Sequence, residues 1–435
     1  MDRRLMDKKK ILYVIHRSWP YLGGAERLFW EWAKSSRDAG YDVTIFTTDV
    51  WDIEYFHDRS KRRIEISEEE VEGIKIKRFK VISWPSKVYW GALRTLSNTP
   101  LKFFSFTFGY PYIFLPGYLW KMIFLREKFD LVNAGVFPHL FLTYPALQYA
   151  KRMKIPSVCT PLVHLGEPHT SNNGTCYFLS TKHVELLKHF DRIATMTHME
   201  KEAILRKGID EKKIHVIGAG VTPDEVWGGN GARFRDKYKI RGKIVLQIST
   251  QTHEKGSPHV IEAMKILWQR GIEATLILIG QVMNDFDAYF FHQPSWVYEK
   301  VIVLDYIDEE IKKDALDACS VFVMPSKAES FGIVYLEAWL YKKPVIGAYA
   351  GALSEMIQNG KDGFLVPFSD IHMLSEYIRL LLEYPTLANA MGQNGYLKVL
   401  KQHTWDRSCE KIQSLYEGLL AHGQDQNRNR YQPHR

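Results

Sequence analysis

The chain has 435 residues, of which 46% are hydrophobic and 25% are charged, so its composition is that of a globular protein with core enough for two or three domains. The four cysteines, Cys159, Cys176, Cys319 and Cys409, are too far apart for a metal-binding pair or a short disulfide framework, which favours a reducing compartment. The formal net charge of +8 permits nucleic acid, an anionic membrane surface or phosphorylated small molecules as partners.

The two ends of the chain are basic but carry no recognisable binding or targeting motif. The N-terminal stretch MDRRLMDKKKILYVIH contains an apolar run too short for the core of a signal peptide, so we expect a cytoplasmic protein. No signature of RNA or DNA binding is present, and the basic clusters RRLMDKKK and NRNRYQPHR are both terminal. These patterns argue against nucleic acid as the partner.

The first half of the chain alternates strand-like and helical patterns. KKKILYVIHRS predicts a buried strand, GAERLFWEWAKSSRDAG a helix that ends at Gly40, and YDVTIFTTD the next strand, which together make a βαβ unit. Further strand-like runs are GIKIKRFKVI, FDLVNAGV, PSVCTPLVH, DRIATMT and KIHVIGAGV. Helical stretches between them are what a parallel sheet requires, so we place a first α/β domain at residues 1–220.

Residues 103–120, FFSFTFGYPYIFLPGYLW, interrupt this alternation with an uncharged, aromatic segment. Its prolines and glycines argue against a transmembrane helix, which needs about twenty apolar residues. Two interpretations remain: a core helix and loop of the first domain, or an aromatic belt at a bilayer interface with basic neighbours that meet anionic headgroups. The basic neighbours are Lys87, Arg94, Lys102, Lys121, Arg126 and Lys128.

The pattern restarts after residues 221–240, which are rich in glycine and charge and predict a linker. GKIVLQIST, ATLILIGQ, VIVLDYI, SVFVMPS and KPVIGAYA then alternate with helical stretches, which predicts a second α/β domain at 241–404. A helix at about 405–421 and a basic tail at 422–435 follow. The predicted fold is therefore two doubly wound α/β domains, and the cleft between them is the expected ligand site.

Residues suited to binding an anion follow the predicted strands at the mouths of both sheets. Gly23 and Gly24 allow close approach to the backbone amides after the first strand. Lys255 follows the first strand of the second domain, where it can neutralise a diphosphate. Glu329 ends the loop after SVFVMPS and Glu337 lies one or two turns inside the next helix, so both can face one ligand. The absence of a complete GxGxxG or GxxxxGK[ST] motif argues against a dinucleotide dehydrogenase and a P-loop ATPase.

These stretches resemble retaining glycosyltransferases of family 4, which have the GT-B fold of two Rossmann-like domains facing across a cleft. The resemblance is carried by GGAERL, by HEKG, and by PSKAESFGIVYLEAWLYKKPVIG, in which Glu329 and Glu337 have the E-x7-E spacing. It is most specific from about 245 to 370, and it includes GALSEMIQNGKDGFLVP. TWDRSCEKIQSLYEGLL resembles the terminal helix of the family, which crosses back to the first domain.

The resemblance implies transfer of a sugar from a nucleotide-diphosphate donor to an acceptor hydroxyl, with retention and without a metal or other cofactor. It places Glu329 beside the donor sugar and Glu337 on the ribose hydroxyls. Because charge develops on the leaving diphosphate, preorganised donors must meet it. These donors are Lys255, the Gly23-Gly24 loop, and the amides of Phe331, Gly332, Ile333 and Val334.

Two positions depart from the family pattern. Thr250 stands where many members have an arginine that makes a second phosphate contact. Many members also have a histidine after the fourth strand that contacts the sugar, whereas this chain has Gly135 there and His139 further on. We therefore assign that role to His164, which ends the next strand-like run.

The leading interpretation is a glycosyltransferase of cell-envelope or exopolysaccharide assembly, acting on a glycan or lipid-linked acceptor at the cytoplasmic membrane face. One alternative is a sugar-nucleotide epimerase of similar fold, which needs no acceptor. The other is a non-catalytic nucleotide-sugar sensor, suggested by Thr250 and opposed by the two glutamates. Fold alone does not separate these functions, because they differ at the site.

Overall fold

The structure, a computed structural model, describes residues 8–56, 58–83, 113–166, 178–305 and 307–429. Two separate sheets, rich in parallel strands and flanked by helices, make up the chain. This architecture confirms the predicted fold class of two doubly wound α/β domains. Within the described ranges, no helix has both the length and the apolar character needed to span a membrane.

The first sheet is built from the N-terminal half. The strands described in this half are β1 (Lys10–Val14), β2 (Asp42–Thr48), β3 (Glu68–Val71), β4 (Ile74–Phe79), β5 (Ile82–Ser83), β6 (Ile113–Phe114), β7 (Leu131–Gly135), β8 (Ser157–Thr160), β9 (Arg192–Thr195) and β10 (Ile214–Val216). Eight of them form one sheet in the order β10-β9-β8-β7-β1-β2-β4-β3, while β5 pairs with β6. All neighbours in the large sheet are parallel except β3 and β4.

Helices cover both faces of this sheet and explain its continuous apolar strands. They include α1 (Gly24–Asp38), α2 (Pro116–Phe124), α3 (Leu140–Met153), α4 (Thr181–Lys188) and α5 (His198–Leu205). The side chains from Ile11 to Val14 on β1 are all fully buried, as expected for a strand covered on two sides. The first helix ends as predicted, because Gly40 adopts a φ of +90° just beyond it.

The second sheet has six parallel strands in the C-terminal half. They are β11 (Lys243–Ile248), β12 (Ala274–Ile279), β13 (Val301–Leu304), β14 (Val321–Met324), β15 (Val345–Ala348) and β16 (Gly363–Val366), in the order β13-β12-β11-β14-β15-β16. The helices described here are α6 (Pro223–Val226), α7 (Gly231–Tyr238), α8 (Ser257–Gln269), α9 (Asn284–Phe291), α10 (Ser295–Tyr298), α11 (Glu309–Ala318), α12 (Ile333–Leu340), α13 (Leu353–Met356), α14 (Ile371–Glu383), α15 (Pro385–Gln402) and α16 (Trp405–Asn429).

The strand order places the predicted site residues at a crevice of each sheet. The order reverses between β1 and β7 in the first sheet and between β11 and β14 in the second. Loops after the carboxyl ends of strands at such reversals open a ligand crevice. The glycine pair follows β1, Lys255 follows β11 and Glu329 follows β14, so all of them lie at these two crevices.

Residues 221–240, predicted to be a linker, contain α6 and α7, and α7 is part of the second domain. The guanidinium of Arg233 donates to the carboxylate of Asp314 on α11 at 2.9 Å. The prediction is wrong for this part because the glycines there serve packing rather than flexibility. A Cβ on Gly229 would lie 2.2 Å from the carbonyl oxygen of Lys313.

The last helix, α16, crosses back to the first domain as predicted. Trp32 on α1 donates from Nε1 to Oγ of Ser408 at 2.9 Å. The helix does not end at 421, however, and it extends into the predicted tail at 422–435. Gly423 does not end the helix, because one glycine inside a helix costs only about 1 kcal/mol.

Part of the aromatic segment 103–120 is described. Residues 103–112 lie outside the described residues, as do Lys87, Arg94 and Lys102. Within 113–120 the core interpretation holds for Ile113, Leu115 and Tyr118, which are buried. Trp120 differs, since 67% of its surface is exposed.

Candidate active site

The glycine loop between β1 and α1 rests on a buried carboxylate. Glu26 accepts a hydrogen bond from Nε of Arg17 at 2.9 Å and lies 3.1 Å from Nε2 of His16. Burial raises the pKa of Glu26, but the Arg17 guanidinium and the His16 ring outweigh it and lower the pKa to about 2. A Cβ on Gly23 would lie 2.8 Å from the Glu26 carboxylate, so a larger residue there would displace that side chain. Gly23 and Gly24 both line the cleft between the domains.

Lys255 and Glu329 form an ion pair that we call the first pair. The Lys255 Nζ atom lies 2.7 Å from Oε2 of Glu329, which is 7% exposed. Burial raises the pKa of the Glu329 carboxyl, but the Lys255 cation and His164 outweigh it, so the pKa is below its usual value. Glu329 is therefore an anion at neutral pH.

Lys312 and Glu337 form a second pair, between α11 and α12. The Lys312 Nζ atom lies 3.0 Å from Oε1 of Glu337. Burial lowers the pKa of Lys312, but Glu337 and Glu309 outweigh it and raise the pKa above its usual value. Oε2 of Glu337 is buried and makes no hydrogen bond to any residue in the described part of the chain. The sequence analysis identified Glu337 but missed Lys312.

The start of α12 supplies backbone donors beside these pairs. Phe331, Gly332, Ile333 and Val334, the residues predicted to bind the donor, all line the cleft. Gly332 precedes the helix with a φ of +85°, a conformation that other residues rarely adopt. The first amides of a helix lack intrahelical acceptors and carry partial positive charge, so this end of α12 suits an anion.

The cleft is a cavity of about 420 Å³ that both domains line. Lys255, Lys312 and Glu329 line it, and Glu337 lines an adjoining space of about 210 Å³ that Lys312 also borders. The domains touch next to the first pair, where Leu165 and Glu329 form a β-bridge. The candidate site is thus closed at one side by contact between the domains.

His164, His139 and Thr250 differ in how close they lie to the cleft. His164 stacks on Phe178 with ring centroids 5.0 Å apart, and burial together with the Lys255 charge lowers its pKa to about 4 against the opposing effect of Glu329. It is thus near the first pair, although it is not among the described residues that line the cavity. His139 instead stacks on His16 at 4.5 Å. Thr250 does line the cavity.

Two family models match this chain, one on each domain. The model described as Glycosyltransferase Family 4 matches residues 22–225, and the one described as Glycosyl transferases group 1 matches residues 232–398. Together they cover most of the sequence and all of the predicted donor-site residues.

Similar curated proteins share about a quarter of the aligned residues with this chain. The capsular polysaccharide biosynthesis glycosyltransferase CapM of Staphylococcus aureus is 25% identical over 248 residues, which is 53% of this chain and 62% of CapM. The N-acetyl-alpha-D-glucosaminyl L-malate synthase of Bacillus anthracis is 26% identical over 302 residues, 68% of this chain and 76% of that protein. The chain matches only about half the length of several other relatives.

Solved structures share the fold along nearly the whole chain. The sucrose-phosphate synthase of Thermosynechococcus elongatus has a TM-score of 0.70 at 19% identity, covering 95% of this chain and 100% of that one. HepE of Anabaena, in complex with UDP and glucose, also has a TM-score of 0.70 at 19% identity, covering 94% and 100%. With the two family matches, this likeness shows that the chain belongs to glycosyltransferase family 4 and has the GT-B fold.

Proposed function

We propose that this protein is a retaining glycosyltransferase that moves a hexosyl group from a nucleotide-diphosphate sugar to an acceptor hydroxyl. The observation that carries this proposal is the convergence of two Lys-Glu pairs and a helix N-terminus on the cleft and the space that adjoins it, both of which the glycine loop also lines. Lys255 and the amides at the helix N-terminus suit a diphosphate, while the carboxylates suit hydroxyl-bearing groups.

In the proposed reaction, the bond between the sugar C1 and the diphosphate oxygen breaks and a bond from C1 to the acceptor oxygen forms. Negative charge grows on the leaving diphosphate, where Lys255 and the amides at the start of α12 stabilise it. The Glu329 carboxylate stabilises the positive charge that develops on the sugar ring. Glu329 has a lowered pKa and is a poor base, so the acceptor proton passes to the departing diphosphate.

Glu337 has a different task in this proposal. Its buried Oε2 atom has no hydrogen-bond partner among the described residues and is left to accept from a hydroxyl, while Lys312 holds the other oxygen. Paired ribose hydroxyls on this carboxylate fix the nucleotide and therefore the sugar attached to it. His164 lies near the first pair and orients the groups around the donor sugar.

The names of similar proteins support a role in glycan assembly. CapM is named for capsular polysaccharide biosynthesis, and HepE has been solved with UDP-glucose. We propose a nucleotide sugar as donor, a glycan or lipid-linked glycan of the cell envelope as acceptor, and peripheral attachment at the cytoplasmic membrane face. No metal is required, since Lys255 and backbone amides take the place of a cation.

The proposal is tested by screening UDP-, GDP- and ADP-sugars for thermal stabilisation of the protein. A donor at about a hundred times its dissociation constant stabilises the folded state by roughly 2.7 kcal/mol. If no nucleotide sugar shifts the melting temperature, the proposed donor site is wrong. For the donor that binds, NMR of the product should show the anomeric configuration of the donor, and an inverted product would contradict the retaining mechanism.

Removal of metal ions gives an independent check. Transfer should proceed at an unchanged rate in excess EDTA, because the leaving diphosphate is met by Lys255 and helix amides. Loss of transfer that magnesium restores would contradict the proposed site.

A further inference from the structure

An exposed apolar stripe lies on α2, on the flank of the first domain. Trp120, Ile123 and Phe124 are 67%, 44% and 56% exposed, and their spacing of three and four residues puts them on one side of the helix. The rings of Trp120 and Phe124 lie 4.2 Å apart between centroids. We call these three side chains the α2 face.

The α2 face is held outward by the packing of the opposite side of the helix. Tyr118 is buried and donates from Oη to the carbonyl of Leu142 on α3 at 2.7 Å. Met122 is also buried, and Arg152 of α3 donates to its carbonyl oxygen at 2.8 Å. The helix is therefore fixed to the domain, and the apolar stripe is a stable feature of its surface.

Basic residues are frequent in α2 and the residues after it, and at the end of α3, the helix on which α2 packs. The segments 116–128 and 151–154 contain a single acid, Glu127, and six bases: Lys121, Arg126, Lys128, Lys151, Arg152 and Lys154. Glu127 pairs with Lys10 at 2.8 Å, which links this region to a groove of about 760 Å³ at the amino ends of the strands. That groove is lined by three acids, Asp42, Glu70 and Asp130, and by twice as many bases: Lys8, Lys9, Lys10, Arg37, Lys75 and Lys128.

We propose that the α2 face docks on an anionic lipid bilayer, with the surrounding basic residues on the headgroups. A tryptophan and a phenylalanine beside lysines and arginines are the composition of an interfacial helix. Anionic lipid is favoured as the partner because six cations around three apolar side chains match a negatively charged surface. The proposal refines the membrane attachment included in the proposed function, and it moves the contact from residues 103–120 to the C-terminal half of α2.

The test is co-sedimentation of the full chain with vesicles of phosphatidylcholine, with and without phosphatidylglycerol. The wild-type protein should bind the anionic vesicles and should release them at high salt, whereas it should bind pure phosphatidylcholine weakly. Trp120→Ser with Phe124→Ser should reduce binding about tenfold or more. Phe291→Ser is the matched control, since Phe291 is 77% exposed on α9 of the other domain, and it should leave binding unchanged.

Charge-reversal variants test how much the basic residues contribute to vesicle binding. Lys151→Glu with Lys154→Glu should weaken binding to the anionic vesicles, whereas Lys361→Glu with Lys401→Glu, on exposed positions of the second domain, should have little effect. Hydrogen exchange of the wild-type protein gives a reading that does not depend on variants, because the α2 amides should become protected only when anionic vesicles are added.

The proposal is overturned if the wild-type protein does not bind anionic vesicles, if the control variants lose as much binding as the α2 variants, or if the α2 amides show no protection. It is separable from the proposed reaction, because stabilisation by a donor sugar should be the same in wild-type and Trp120→Ser/Phe124→Ser protein. A protein that binds vesicles but no nucleotide sugar would contradict the proposed function and leave the docking surface standing.

Discussion

The first and second Lys-Glu pairs look alike but differ in their surroundings. Both join a lysine to a glutamate within 3.0 Å. Lys255, Glu329 and Lys312 line the cleft, while Glu337 lines the space that adjoins it. The first pair joins two loops at the point where the domains touch. The second joins two helices within a single domain.

This difference indicates a division of roles. Lys255 lies on a loop after a strand, so it can turn from Glu329 to a diphosphate without disturbing a helix. Lys312 is held inside α11 between Glu309 and Glu337, and it stays a fixed support for Glu337. We therefore expect the first pair to act in transfer and the second to act in nucleotide binding.

The largest effect should come from Lys255→Ala. In the proposed reaction, Lys255 contacts the diphosphate before and during its departure, so both donor binding and turnover should fall, and kcat/KM should drop about a thousandfold. The measurement is steady-state transfer together with the donor dissociation constant. The neighbouring, exposed Lys327 provides the control, and Lys327→Ala should behave as wild type. Equal losses in the two variants would show that general surface charge, not the first pair, is responsible.

Glu329→Gln should affect turnover alone. Its charge matters most in the transition state, so kcat should fall on the order of a hundredfold while the donor dissociation constant changes little. Glu299→Gln, on an exposed position of the same domain, is the control. Normal turnover by Glu329→Gln would mean that the carboxylate is structural, which would favour the sensor interpretation.

Glu337→Gln should show the opposite pattern. Loss of charge-assisted hydrogen bonds to ribose, each worth about 1.5 to 3 kcal/mol, should weaken donor binding by a factor of ten or more. The value of kcat at saturating donor should stay near wild type. Calorimetric titration with the donor measures the first quantity, and a fall in kcat without weaker binding would reverse the assignment of the two glutamates.

Lys312→Gln should have the smallest effect, because it acts through Glu337 and does not touch the nucleotide. We expect donor binding to weaken about threefold, the scale of a single partly exposed ion pair. A double variant with Glu337→Gln should bind no worse than Glu337→Gln alone, because the two residues act as one unit. Additive losses would show that Lys312 contacts the donor directly.

Lys312 is a residue of the candidate site that was not predicted from the sequence. The resemblance marked Lys255 and Glu329 because they stand in distinctive stretches after strands, and the structure brings them together. In EEIKKDALDAC, nothing in the motif distinguishes Lys312 from Lys313. Helical spacing offers a signal, because Lys312 is three and four residues before the buried Ala315 and Leu316, on the inner face of α11.

The fold was predictable where strands are buried along their whole length, and less so in the segments that connect the domains. Strands covered on both faces read as unbroken apolar runs, so their positions followed from the sequence. The helix α7 was missed because glycines required by close packing against α11 resemble those of a flexible linker. Such contacts between distant segments leave no local pattern.

Binding of the sugar-free nucleotide tests the division of roles most directly. In the proposed site, UDP, or the nucleoside diphosphate of the donor that the screen selects, would contact Lys255 and Glu337 but lacks the sugar that we propose Glu329 faces. Calorimetry should therefore find wild-type or tighter binding by Glu329→Gln, which frees Lys255 for the phosphates, and binding at least tenfold weaker by Glu337→Gln. Equal weakening in both variants, or a greater loss in Glu329→Gln, would contradict the assignment of transfer to the first pair and nucleotide binding to the second.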